Sequence, residues 1–158
     1  MFRSTLIAAL GLWTALSVPA TADSGATLLT VAGPSGVQTY DLAALEAFEP
    51  AEFQTSTIWT KGRAQFQGVP LKTLLDAAQI REGSILATAI NDYAVEIPVA
   101  EITGNYPIVA YRLDGQVMSV RDKGPLWVIY PFDADPALQT EVTYSRSIWQ
   151  LDRLAVKE

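Results

Sequence analysis

The chain has no cysteine and no histidine. Without thiols there is no disulfide, no thiolate nucleophile and no iron–sulfur cluster. With imidazole missing as well, ordinary zinc sites and every histidine-based catalytic triad are excluded. Positive charge is scarce: eleven Lys and Arg stand against seventeen Asp and Glu in 158 residues. Binding to a phosphate backbone needs clustered Lys and Arg, so nucleic acid is not an expected partner. Acidity of this kind serves solubility. Carboxylates, hydroxyls, Lys, Arg and aromatic rings are left to carry function.

Long apolar runs are also missing, with one exception at the N-terminus. Met1-Phe2-Arg3 gives a short basic start, Leu6 to Val18 is apolar, and Ala20-Thr21-Ala22 is a run of small residues. The pattern predicts a secretory signal peptide over residues 1–22, cut before Asp23. The run falls short of the roughly 20 apolar residues of a spanning helix, which argues against an uncleaved anchor. The expected product is one exported domain, residues 23–158, that does not insert into a membrane. The leader carries one cation, Arg3, so ten cations remain against seventeen acids, a net charge of −7.

Within that domain, residues 27–33 read as a strand that ends at Gly33-Pro34-Ser35-Gly36. Asp41 is a good N-cap for a short helix over 42–46. Residues 53–59 alternate like a strand, and 66–70 read as a turn. Leu71, Leu74, Leu75 and Ala78 share one helical face. Two runs, 85–90 and 93–98, flank Asn91-Asp92 as a hairpin; 108–113 and 116–120 flank Asp114-Gly115 as another. Residues 126–130 form a buried-type strand, and 141–156 read as one or two more. Many strands with two short helices predict an α+β domain.

Four segments stand out: Trp59 to Leu75, Asn91 to Pro98, Arg121 to Pro131 and Tyr144 to Leu151. Gly68-Val69-Pro70-Leu71, with Leu74-Leu75, resembles the strand-turn-helix that follows the cofactor cysteine in sulfite-oxidase-type proteins. Gly124-Pro125-Leu126, after the Asp-Gly hairpin and six residues before Pro131, resembles that family's Gly-Pro-Leu-Arg segment. The resemblance implies a compact sulfite-oxidase-type molybdopterin-binding fold, with a mostly antiparallel, barrel-like sheet and short helices. It also implies where the metal-binding cysteine belongs. Counting back from Gly68, that place falls around Ser56, between Thr55 and Thr57, and a hydroxyl is a harder ligand than a thiolate. The chain is much shorter than a complete enzyme of the family. No catalytic metal site is expected.

Arg121-Asp122-Lys123-Gly124-Pro125-Leu126-Trp127 and Tyr144-Ser145-Arg146-Ser147-Ile148-Trp149 are similar to segments of small exported pterin-binding regulators. That resemblance implies a periplasmic, non-catalytic protein. It would bind a reduced pterin and relay the signal to the periplasmic domain of a membrane-bound enzyme of cyclic-diguanylate metabolism. The alternative is an oxidoreductase domain or subunit that binds molybdopterin. A pterin is a flat ring with a polar edge, suited to aromatic stacking and to carboxylate or amide readers. Trp59, Tyr93, Trp127, Tyr144 and Trp149 are the candidate faces. Asn91, Asp92, Arg121 and Asp122 are the candidate edge readers, with Ser56 and Ser145 beside them. Plainer readings exist: Trp127 and Trp149 as core, Asn91-Asp92 as a turn, Arg121 to Lys123 as a solvated loop.

Overall fold

The computed structural model describes residues 25–157. The signal-peptide expectation for residues 1–22 lies outside the described residues. Among the described residues, no helix is long and apolar enough to cross a membrane.

β1 (Leu29–Gly33) and β2 (Gly36–Tyr40) form a hairpin in register Gly33↔Gly36, with Gly36 at φ 100°. α1 (Leu42–Glu46) follows, and the Asp41 carboxylate accepts from Ala44 N at 2.8 Å as the cap. β3 (Ala51–Ser56) pairs antiparallel with β4 (Arg63–Pro70). α2 (Leu71–Ala77) buries Leu71, Leu74 and Leu75, as the periodicity predicts. β5 (Ser84–Ala89) and β6 (Ala94–Pro98) form the hairpin around Asn91-Asp92. β7 (Ile108–Leu113) turns through Asp114 and Gly115, both at positive φ, into β8 (Gln116–Val117). Two such residues are what a tight hairpin of matching twist requires. β9 (Trp127–Ile129), α3 (Glu141–Arg146) and β10 (Leu151–Val156) complete the chain.

The strands form two five-stranded sheets. One has the order β2-β1-β10-β5-β6; the other runs β3-β4-β7-β8, with β9 also on β7. All pairs are antiparallel except β1 with β10. One apolar core takes residues from both sheets, among them Leu29, Val31, Ile85 and Leu154 from the first and Phe66, Val69, Ile108 and Val109 from the second. This is the expected α+β fold, with three corrections. The sheets do not close into a barrel, because each keeps free edges and β8 is only two residues long. Residues 66–70 are not a turn: β4 runs through them, and Gly68 is there for close approach. A Cβ on Gly68 would lie 2.1 Å from Val109 O. The segment 141–156 is a helix and then a strand. Thr140 caps the helix by accepting from Thr143 N at 3.2 Å, so local capping overrides the β-type residues Val142, Thr143 and Tyr144.

Candidate functional site

β3 ends at Ser56, three residues short of the predicted limit, because Thr57 folds the chain over. Its hydroxyl oxygen accepts from Trp59 N and Thr60 N, each at 3.0 Å. This turn sets the Trp59 ring among other aromatics. Its centroid lies 5.9 Å from Trp127, 5.8 Å from Tyr144 and 5.5 Å from Trp149, all edge-to-face. Such contacts are favourable because a positive ring edge meets a negative face. Trp127 is the buried floor: it is fully covered, its indole N–H donates to Ser147 O at 3.0 Å, and its backbone bridges to Trp149.

Above that floor lies a cavity of about 340 Å³. Trp59, Tyr93, Tyr144 and Trp149 supply its aromatic wall, and Asn91, Ser145, Ser147 and Gln150 supply polar atoms. No charged side chain lines it. The polar atoms are partly committed, which fixes what they offer. Asn91 Oδ1 accepts from Tyr93 N at 3.2 Å, leaving its amide hydrogens. Gln150 Nε2 donates to Val120 O at 2.6 Å, leaving its carbonyl oxygen and its other amide hydrogen. Ser145 and Ser147 donate their hydroxyl hydrogens to Val142 O and Thr143 O, at 2.7 and 3.1 Å, leaving lone pairs. The cavity therefore offers flat apolar faces, amide hydrogens of Asn91 and Gln150 and several acceptors, a set suited to the edge of a neutral heterocycle. A second concavity, about 580 Å³, is lined by Glu49, Glu52, Phe53 and Tyr106 among others, and contains none of the eleven candidate site residues.

The structure brings six of the eleven candidates to the cavity: Trp59, Asn91, Tyr93, Tyr144, Ser145 and Trp149. Trp127 supports the wall from beneath, which is the core reading. Trp149 keeps 37% of its surface, against its core reading. The other four stand off the wall. Asp92 adopts the left-handed conformation at φ 65° and its carboxylate pairs with Arg153, so it does not face the cavity. Asp122 accepts from Ser119 Oγ at 3.0 Å within a 3-10 turn, Val120–Asp122, that also holds Arg121. Ser147, Ile148 and Gln150 line the cavity but were not selected from the sequence. Their signal lay in the Tyr144–Leu151 segment, and Gln150 was hidden because its left-handed backbone is not legible in residue type.

Ser56 belongs to a different arrangement. Its backbone N–H donates to Asp133 Oδ2 at 2.8 Å, and Asp133 N donates to the buried Thr55 Oγ1 at 3.0 Å. Arg63 Nε lies 3.3 Å from the same carboxylate. Where the family resemblance puts a metal thiolate, the backbone is thus held to Asp133 by two hydrogen bonds, and Ser56 presents a hydroxyl. No group of three or more His, Cys, Asp or Glu suited to a metal occurs among the described residues. With a hydroxyl in place of a thiolate, these residues do not fit a molybdenum ligand set.

One mixed and one antiparallel sheet with short helices make up the domain, and an aromatic cavity opens among its loops. The chain belongs to the oxidoreductase molybdopterin-binding domain family, which its residues 27–133 match. That match stops before Tyr144 to Gln150, which supply six of the ten residues lining the cavity. The fold is similar to that of the sulfane dehydrogenase SoxCD from Paracoccus pantotrophus, with a TM-score of 0.62 and 15% identity. The similarity covers 81% of this chain and 37% of that one, so this chain corresponds to little more than a third of it. At such identity the likeness is one of fold. No curated protein matches the sequence.

Proposed function

We propose that this protein is a non-catalytic pterin-binding protein whose ligand stacks in the cavity of Trp59, Tyr93, Tyr144 and Trp149. The observation that carries the reading is the cavity itself: aromatic faces, neutral polar atoms and a volume of about 340 Å³. A reduced pterin donates from its amino group and ring N–H and accepts at its carbonyl. Gln150 and the serine oxygens suit the first, and the Asn91 amide suits the second. The protein acts in the periplasm after loss of residues 1–22. It relays ligand status to the periplasmic domain of a membrane-bound enzyme of cyclic-diguanylate metabolism. Support for the relay is the resemblance of Arg121–Trp127 and Tyr144–Trp149 to such regulators, and both segments build the cavity or its floor.

The decisive experiment is titration of the purified exported protein with reduced pterins, followed by tryptophan fluorescence and calorimetry. Saturable one-to-one binding that Trp59→Ala weakens is expected; no binding to any reduced pterin sinks the reading. A second reading, a molybdopterin-binding oxidoreductase domain or subunit, is favoured by family membership. Stoichiometric molybdenum in protein from a cofactor-producing host would establish it.

A further inference from the structure

The three helices are anchored unequally. α1 buries Leu45 and α2 buries Leu71, Leu74 and Leu75, but α3 buries only Thr143. Val142 is exposed, and Tyr144 is half-buried with its ring centroid 4.7 Å from that of Phe132. A helix of six residues is too short to be stable by itself. With so little apolar burial, α3 depends on polar ties and belongs to the parts of a fold that open first. It also carries Tyr144 and Ser145, two of the residues that line the cavity.

The next residue, Arg146, makes the one charged tie. Its Nη1 and Nη2 donate to Oε2 and Oε1 of Glu101, a two-bonded charge pair. Only 14% of the Arg146 side chain is exposed, the lowest value among the six cations that form ion pairs within the described residues. The other ties of α3 are neutral, the Thr140 cap and the bond from Ser147 Oγ to Thr143 O. Glu101 stands on firmer ground. It ends the 3-10 turn Val99–Glu101, where Val99 and the following Ile102 are buried and Val99 N donates to Gly83 O at 2.9 Å. That turn continues from β6, whose hairpin with β5 brings Asn91 and Tyr93 to the same cavity. The pair therefore joins two elements that both supply lining residues, while neither partner lines the cavity itself.

We propose that the Arg146–Glu101 pair is a latch that holds α3 in its binding position, which makes Arg146 and Glu101 positioning residues for the cavity. The inference rests on the pterin reading and adds how that site is kept formed. With the latch broken, α3 is displaced for part of the time. Apparent affinity then falls by the fraction of protein that stays competent.

The test uses the full exported protein and a neutral reduced pterin, hydroxymethyl-dihydropterin. Glu101→Gln should weaken binding roughly tenfold, the scale of one charge-assisted hydrogen bond. The exchanged pair, Arg146→Glu with Glu101→Arg, should restore most of the affinity. Glu46→Gln, which breaks the Arg112 pair between α1 and β7, should leave it unchanged. Ionic strength gives a readout that overall stability does not move. No charged side chain lines the cavity and the ligand is neutral, so added salt acts on the latch. Raising KCl should weaken binding more in wild type than in Glu101→Gln. Hydrogen exchange of the ligand-free protein should be faster at the α3 amides in Glu101→Gln, with β5 and the melting temperature little changed. Equal affinity in wild type and Glu101→Gln overturns the latch and leaves the pterin reading standing. A loss of affinity that tracks a fall in melting temperature, with no rescue by the exchanged pair, also overturns it, since the pair then serves the whole fold. If wild type binds no reduced pterin, the pterin reading falls and exchange alone decides: unchanged α3 rates overturn the latch, and faster ones keep it for whichever ligand the cavity takes.

Discussion

Thr57 and Ile58 separate two regions of opposite character. On one side, Thr55 and Ser56 are locked to Asp133 by two backbone–side-chain hydrogen bonds, with Arg63 against the same carboxylate. On the other, Trp59 stands in an aromatic cluster with an open cavity above it. The first region spends its polar atoms on one another; the second keeps an amide, a carbonyl and hydroxyl lone pairs free. The difference teaches that neighbouring residues can do separate work: one segment ties the chain to itself through polar atoms, and the other leaves aromatic faces open.

The comparison can be broken most forcefully from beneath. Trp127→Ala removes the buried floor that both Trp59 and Trp149 rest on, and should cost about 3–5 kcal/mol of stability, read by chemical denaturation. A loss below about 1 kcal/mol would mean that the cluster is not one packed unit. Trp59→Ala acts on the cavity side alone. It should weaken pterin binding by about 1–3 kcal/mol, with folding retained, as measured by calorimetry. Thr55→Val acts on the Asp133 side alone. It strips the acceptor from Asp133 N and should cost about 1–3 kcal/mol in stability while pterin affinity stays unchanged. Weakened binding in that variant would show the two regions to be coupled. The smallest effects belong to Asp92→Asn and Asp122→Asn. Both carboxylates are exposed and turned to Arg153 and Ser119, so neither stability nor pterin affinity should move measurably. A clear loss of affinity in either would restore the carboxylate as an edge reader.

Where local chemistry decides, the residues were enough. Asp41 marked a helix start, Leu71 to Ala78 a buried helical face, and Asp114-Gly115 a hairpin. Where a neighbour decides, they were not. Gly68 looked like a turn, yet it serves the approach of β4 to β7, and only the facing backbone reveals that. Tyr144 and Ser145 looked like strand residues, yet the Thr140 cap winds them into α3 and turns them to the cavity. Of the aromatic candidates, Trp59, Tyr93, Tyr144 and Trp149 meet at one cavity, with Trp127 beneath them. The acidic candidates turn elsewhere, because a carboxylate's direction depends on which partner the fold places near it.

The sequence by itself determined the family, the α+β class and the chemistry that is missing. Composition and short-range spacing suffice for these: an absent thiol is absent in any conformation, and the motif spacings hold before folding. Only the tertiary structure decided that Trp127 is floor and Trp149 wall, that Asp92 belongs to Arg153, and that Lys123 stands beside two indole rings. The Trp127 and Asp92 assignments rest on hydrogen bonds between residues 20 and 61 positions apart in the chain. Their geometry follows from how two sheets pack on one core, and no local pattern encodes that.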